Sequence, residues 1–183
     1  YKADNVARQL GLREVWIKDY GRNPTASLKD RASALIVAKA GAEGREIVTT
    51  ASTGNAAAAL AGLAASVQAP TVIFVPASAP EAKITKLLVY GAHVLLVDGT
   101  YDDAFELCLE ATDAYGWYCR NTAYNPFTAE GKKTVAFEIC EQQEARAKMR
   151  DSLKKVAEEK RAAKLKEIEE RKKQREKAIE NNE

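Results

Sequence analysis

Cysteine and histidine are scarce in this sequence: three cysteines and one histidine in 183 residues. Cys108, Cys119 and Cys140 are odd in number, widely spaced and outside any CxxC pair, so neither a disulfide framework nor a zinc site is encoded. Isolated thiols of this kind are expected of a reduced, cytoplasmic protein. A charge field of one sign is also lacking. Residues 1–140 carry 14 Lys and Arg against 15 Asp and Glu, and residues 141–183 carry 14 against 11. No nucleic-acid or acidic-membrane partner is expected of such a balance. Residues 47–80 contain no charge, yet Asn55, Gln68, Pro70 and Pro76 interrupt them, which is wrong for a bilayer span. No signal-peptide pattern precedes them.

Glycine is absent after Gly131 and proline after Pro126, so a helix beginning near Thr128 meets no breaker. About 40 residues of such a tail would extend roughly 60 Å. Glu144–Lys148, Asp151–Lys155, Glu167–Arg171 and Glu169–Lys173 stand at i,i+4 in the favourable order, each worth a few tenths of a kcal/mol. Met149, Leu153 and Val156 follow 4-3 spacing, but Lys160, Ala163 and Glu167 occupy the next positions of that register, and Leu165, Ile168 and Ile179 belong to another. The tail is expected to be an isolated or edge-docked charged helix, with coiled-coil self-association through 142–183, or disorder, as the alternatives.

Before the tail, strand and helix signals alternate. Asp4–Leu10 reads as a short helix, "EVWIKDY" as a strand, and about Leu28 to Ala42 as a helix. "EIVTTA", "TVIFVP", "AHVLLVDG" and "WYCRNT" read as further strands. Between them lie helices over Ala56–Val67, Pro80–Tyr90 and Tyr101–Tyr115. Mostly continuous apolar strands alternating with helices call for an open parallel sheet with helices on both faces, an α/β domain over 1–141 followed by a charged helical extension over 142–183.

Two stretches carry chemistry. In "NPTASLKDRAS", Ser27 and Asp30 fit a capping box with Ser27 as N-cap, which puts Lys29 in the first turn of a helix. A cation there opposes the helix dipole by only about 0.3–1 kcal/mol, too little to make a neutral nucleophile near pH 7. On local chemistry alone Lys29 is a solvated cation. In "TTASTGNAAAALAGLA", small hydroxyl residues and Gly54 precede a helix whose free N–H groups suit a carboxylate or phosphate. Alone, that loop reads as a capped helix with a tight turn.

Together with "NPFTAEGKKTVAFEICEQ", these stretches resemble the threonine synthase family of fold type II pyridoxal-phosphate enzymes, over about residues 5–142. The resemblance implies that Lys29 forms the Schiff base with pyridoxal 5'-phosphate and then shuttles protons. It implies that Asn55 hydrogen-bonds the cofactor's 3'-oxygen and that Ser52, Thr53 and Gly54 hold the substrate carboxylate, with the substrate phosphate as a second candidate ligand of the same loop. The reaction implied converts O-phospho-L-homoserine and water to L-threonine and phosphate. Amino-acid dehydratases and cysteine synthases share related motifs and are the neighbouring alternatives.

The chain departs from the family at Leu28, where Phe is common, and at Thr128, where many relatives have Arg. Lys132 and Lys133 are the nearby substitutes for that cation. The family's glycine-rich cofactor-phosphate loop has no counterpart after Gln143, so a truncated domain, inactive alone, is expected. A non-catalytic or chimeric module carrying a helical spacer is the competing reading. His93 reads as a packed or edge-exposed strand residue, Trp16 and Trp117 as core. Asp98, Asp102 and Asp103 read as helix caps, with no metal site expected.

Overall fold

The structure is a computed structural model that describes the backbone of residues 1–180 and the side chains of residues 1–166. Its elements are α1 (Asp4–Gln9), a 3-10 turn (Tyr20–Arg22), α2 (Lys29–Ala42), β1 (Val48–Ala51), α3 (Asn55–Ser66), β2 (Thr71–Pro76), α4 (Glu81–Val89), β3 (His93–Val97), α5 (Tyr101–Tyr115), β4 (Tyr118–Cys119) and α6 (Phe127–Glu180). The four strands form one sheet in the order β3-β2-β1-β4, every neighbouring pair parallel. The strand order reverses at β1. In open parallel sheets ligands bind beyond the carboxyl ends of the strands at such a point.

Side-chain alternation explains why both sheet faces are covered. Val72 and Phe74 of β2 pack with Ala104, Cys108 and Ala111 of α5. Ile73 and Val75 point the other way, onto Ala57, Ala58 and Ala61 of α3 and Leu87 of α4. A third cluster joins Ile36 and Ala40 of α2 to Val48, Leu60 and Tyr118. Alanine dominates α3 because its helix lies close to the sheet and to α2, where larger side chains would overpack. At the other end of α5, Thr100 and Asp103 form a capping box, and Gly116 closes the helix in the left-handed conformation at φ 68°. That carboxylate is thus spent as a cap, and the backbone N–H and hydroxyl of Thr100 hold it below the usual range.

Three expectations need correction. "EVWIKDY" is not a strand of the sheet: it forms a single antiparallel bridge, Lys2 to Trp16, because only the first few residues of the chain lie beside it. Trp16 is 46% exposed and not core, its indole N–H donating to Glu14. Trp117 does pack, between Phe74 and Tyr115. The last strand is shorter than "WYCRNT", because at Asn121 a side chain and not the backbone takes up the next β1 amide. His93 stands exposed on the edge strand β3.

The chain divides into two compact units, Tyr1–Thr134 and Val135–Glu183. In the second, Met149, Leu153 and Val156 are 65, 60 and 46% exposed, so the short 4-3 run packs on nothing within this unit. The pairs Glu144–Lys148 and Asp151–Lys155 do not close to ion-pair distance, consistent with the rotamer entropy such exposed contacts cost. The pairs Glu167–Arg171 and Glu169–Lys173, with Ile168 and Ile179, lie outside the described side chains. None of the described helices is long and apolar enough to cross a membrane.

The first turns of α6 belong to the α/β unit and approach α2 very closely. A Cβ added at Gly131 would lie 2.5 Å from the Arg31 carbonyl oxygen and 2.8 Å from Ala32 Cα. Both obstacles are backbone, so no side-chain rotation relieves them. Gly131→Ala should therefore destabilise the α/β unit by about 1–3 kcal/mol, read as a lower urea midpoint with unchanged slope. An unchanged midpoint would show that α2 and α6 separate freely.

Candidate active site

Lys29 is the first residue of α2, half-buried, and its position is set by the loop before it. The expected capping box does not form. Leu28 is already helical, the Ser27 hydroxyl accepts from the Lys29 N–H at 3.1 Å, and Asp30 turns elsewhere. The Asp30 carboxylate accepts from the Thr25 backbone N–H at 2.8 Å and from the Thr25 hydroxyl. The turn that allows this needs Ala26 at φ 59°, a left-handed conformation costing a non-glycine residue about 1 kcal/mol. The Asn23 side chain adds a bond to the Ser27 carbonyl at 2.8 Å. Thr25, Ser27 and Asp30 are all buried, so the loop that presents Lys29 is pinned from inside. It also rests on α3, where a methyl at Gly62 would come within 2.6 Å of Thr25 Cγ2.

Ser52, Thr53 and Gly54 form the loop between β1 and α3, and Asn55 is the first residue of α3. The Gly54 N–H donates to the Ser52 hydroxyl at 3.1 Å, while Asn55 is exposed. No side chain caps α3, so its first-turn N–H groups remain available to an anion.

The residues that tie this loop to Lys29 went unnoticed in the sequence. Asn121, just past β4, accepts through Oδ1 from the Ala51 N–H at 2.8 Å and from the Thr50 hydroxyl at 2.9 Å. A backbone N–H can only donate, so that oxygen is correctly assigned and Nδ2 is a donor. Buried Nδ2 has no protein acceptor. Arg120 beside it is 2% exposed, with Nε 3.5 Å from the Ser33 hydroxyl and Nη1 donating to Thr122 Oγ1 at 3.2 Å. Its Nη2 is likewise a buried donor without a protein acceptor. Ser33 lies one turn after Lys29, on the same face of α2. Contacts thus run from the Lys29 face of α2 through Arg120 and Asn121 to the start of the Ser52–Asn55 loop, at the carboxyl ends of β1 and β4. The polar run "RNT" at the end of an apolar strand was the available signal.

Lys132 joins the same cluster, its Nζ 3.5 Å from Thr122 Oγ1. Burial, then the charges of Arg120 and Lys29, pull its pKa below the ordinary lysine value. Lys133 is drawn instead to Glu130 at 2.5 Å, and Thr128 spends its hydroxyl on the Asn125 carbonyl at 2.8 Å. Cys108 and Cys119 are buried on the α5 side. Their mutual contact and burial push the Cys108 thiol far up, which leaves it inert. An apolar groove of about 480 Å³ lies between α2 and α3, lined by Val37, Gly41, Leu63 and Val67, and includes none of the candidate site residues.

A half-buried amine, an exposed amide and unpaired donors beside an anion loop form a donor set suited to an aldehyde-bearing, phosphorylated cofactor. The sequence pattern described as "Pyridoxal-phosphate dependent enzyme" matches residues 1–152. The chain belongs to this pyridoxal-phosphate dependent enzyme family. It is 38% identical over 143 residues to a threonine synthase of Methanocaldococcus jannaschii and 39% identical over 143 residues to one of Methanosarcina acetivorans. Each match covers 78% of this chain and 35% of the relative, so the chain spans about a third of the curated relatives' length. The processed form of threonine deaminase isoform 2 from Solanum lycopersicum superposes with a TM-score of 0.69 at 26% identity, over 78% of this chain and 39% of that one. Apo diaminopropionate ammonia lyase of Escherichia coli has the same fold, with a TM-score of 0.70 at 20% identity, over 80% and 47%. The resemblance to threonine synthase and the fold type II architecture are therefore borne out, and the family's cofactor is pyridoxal phosphate.

The charge coupling between Lys29 and Lys132 is open to a direct check. Lys29→Met removes one repelling charge, so Lys132 should titrate at higher pH than in the native chain, followed by NMR at its side-chain carbons. An unchanged titration would place Lys29 outside electrostatic range of the cluster.

Proposed function

We propose that this chain carries the lysine-bearing part of a threonine synthase-type site, acting on O-phospho-L-homoserine and water to give L-threonine and phosphate. The observation that supports this most is the pinned loop Thr25–Asp30, which holds Lys29 at the start of α2 on the face that meets Arg120. A solvated surface lysine needs no such support. Pyridoxal phosphate, when bound, supplies the electron sink for carbanions at the substrate. The residues of the chain bind, orient and move protons around it.

Lys29 Nζ is the amine that would hold the cofactor through its aldehyde and, when free, would take and return protons at the substrate carbons. Its tether at Ser27 fixes where that amine starts. Asn55 has a side-chain N–H free to donate to the cofactor's 3'-oxygen. The hydroxyls of Ser52 and Thr53 and the first amides of α3 hold the substrate carboxylate, with Gly54 giving backbone access. Gly54 N–H must exchange its bond to Ser52 for one to the ligand, a neutral replacement at roughly 1 kcal/mol each way. No glycine follows Gly131, so residues 132–183 cannot make the glycine-rich phosphate cradle that the resemblance implies. Each charge-assisted bond of such a cradle is worth about 1.5–3 kcal/mol. These 183 residues by themselves are therefore proposed to hold the cofactor weakly and turn over little.

Incubation with pyridoxal phosphate, borohydride reduction and peptide mapping by mass spectrometry test this reading. Stoichiometric label confined to Lys29 is expected. Label spread over several surface lysines would sink it and favour a non-catalytic module.

A further inference from the structure

A glycine inside a helix of alanines is disfavoured against its neighbours, because its backbone loses more freedom on folding. Gly62 holds such a position in α3, between Ala61 and the pair Ala64 and Ala65. The space of its missing side chain is taken by the loop that presents Lys29. A methyl at Gly62 would come within 2.6 Å of Thr25 Cγ2 and 3.5 Å of the Tyr90 ring. The second distance is ordinary contact; the first is a clash. Thr25 cannot turn aside to relieve it. It is 6% exposed, and its backbone N–H and its hydroxyl both donate to the Asp30 carboxylate. The hydroxyl and the methyl share one χ1 torsion, so holding the first fixes the second. Gly62 also lies seven residues after Asn55, a rotation that returns to the same face of α3. The face that carries Asn55 is thus the one that rests on Thr25.

We infer that Thr25 and Gly62 are positioning residues: their contact, held from the other side by Asp30, sets the spacing between the loop that presents Lys29 and the helix that carries Asn55. Both act through those two residues. The bearing of this contact on chemistry rests on the threonine synthase-type reading, in which Lys29 and Asn55 serve one cofactor; the contact itself does not. Lys29 Nζ meets a group held by Asn55 only while the spacing is kept, and a misplacement of about 1 Å can cost about 10²-fold in rate.

The native chain, Gly62→Ala, Thr25→Ser and the double variant are each exposed to limiting pyridoxal phosphate, reduced with borohydride and mapped for label on Lys29 relative to the other lysines. Gly62→Ala should lower Lys29 labelling about tenfold or more and leave the other lysines unchanged. Thr25→Ser removes Cγ2 and keeps the hydroxyl for Asp30, so alone it should label like the native chain. Combined with Gly62→Ala it should restore Lys29 to within about twofold, because the obstructed methyl is gone. A change in helix propensity at position 62 would not be reversed by a substitution in another element. Hydrogen exchange of the residue-25 amide, followed without cofactor, should quicken in Gly62→Ala and return to native in the double variant. Native-like labelling or exchange in Gly62→Ala, or a double variant as impaired as Gly62→Ala, overturns the proposal. Where circular dichroism shows Gly62→Ala unfolded, the double variant decides: folding with native labelling supports the contact, and failure to fold or to label overturns it. If Lys29 is unlabelled in the native chain the proposed function fails, and the exchange measurement still decides the contact.

Discussion

The side-chain amide of Asn121 is the contact on which the site depends. β4 contributes only Tyr118 and Cys119 to the sheet, and one further ladder bond runs from the Arg120 N–H to the Thr49 carbonyl at 2.7 Å. Beyond that point Asn121 Oδ1 replaces the strand, taking the Ala51 N–H and the Thr50 hydroxyl. Leaving that buried N–H without a partner would cost about 1–3 kcal/mol. The substitution of a side chain for a strand frees the backbone at Thr122 to turn toward α6. It also fixes Arg120 and the Ser52–Asn55 loop to neighbouring strand ends.

A buried guanidinium is an expensive thing to install. The effective desolvation cost is several kcal/mol per ion even after relaxation, and burial accordingly draws the Arg120 pKa down, while Cys119 and Tyr101 oppose this. Hydroxyls of Ser33 and Thr122 are its side-chain hydrogen-bond partners. The cost is carried by a closely packed domain: an alanine-lined α3, the glycine contact between α2 and α6, and clusters on both faces of the sheet. Strain at Ala26 and an unneutralised charge at Arg120 thus sit at one end of an otherwise well-satisfied domain. Functional sites are where such local costs are tolerated.

Much of the fold was legible because it rests on periodicity. Continuous apolar strands and regularly spaced helices gave the parallel sheet, and α2 ends at the expected Ala42 while α5 matches its expected range. "EVWIKDY" misled because a strand needs a partner, and that is a tertiary property which the residues 14–20 do not encode. The capping-box pattern at Ser27 and Asp30 failed for a similar reason. The carboxylate had a second acceptor role available, at Thr25, once Ala26 entered the left-handed region. Lys29 and the Ser52–Asn55 loop were visible as motifs, whereas Arg120 and Asn121 were not. A lone arginine in sequence reads as surface, and only the topology places it under α2 at Ser33.

The most direct measurement is a crystal structure of the chain after exposure to pyridoxal phosphate and borohydride reduction. The pyridoxyl group should extend from Lys29 Nζ beyond the carboxyl ends of β1 and β4, within hydrogen-bonding reach of the Asn55 side chain. A group attached to Lys29 but directed into solvent, touching neither Asn55 nor Asn121, would contradict the claim that these residues make one site.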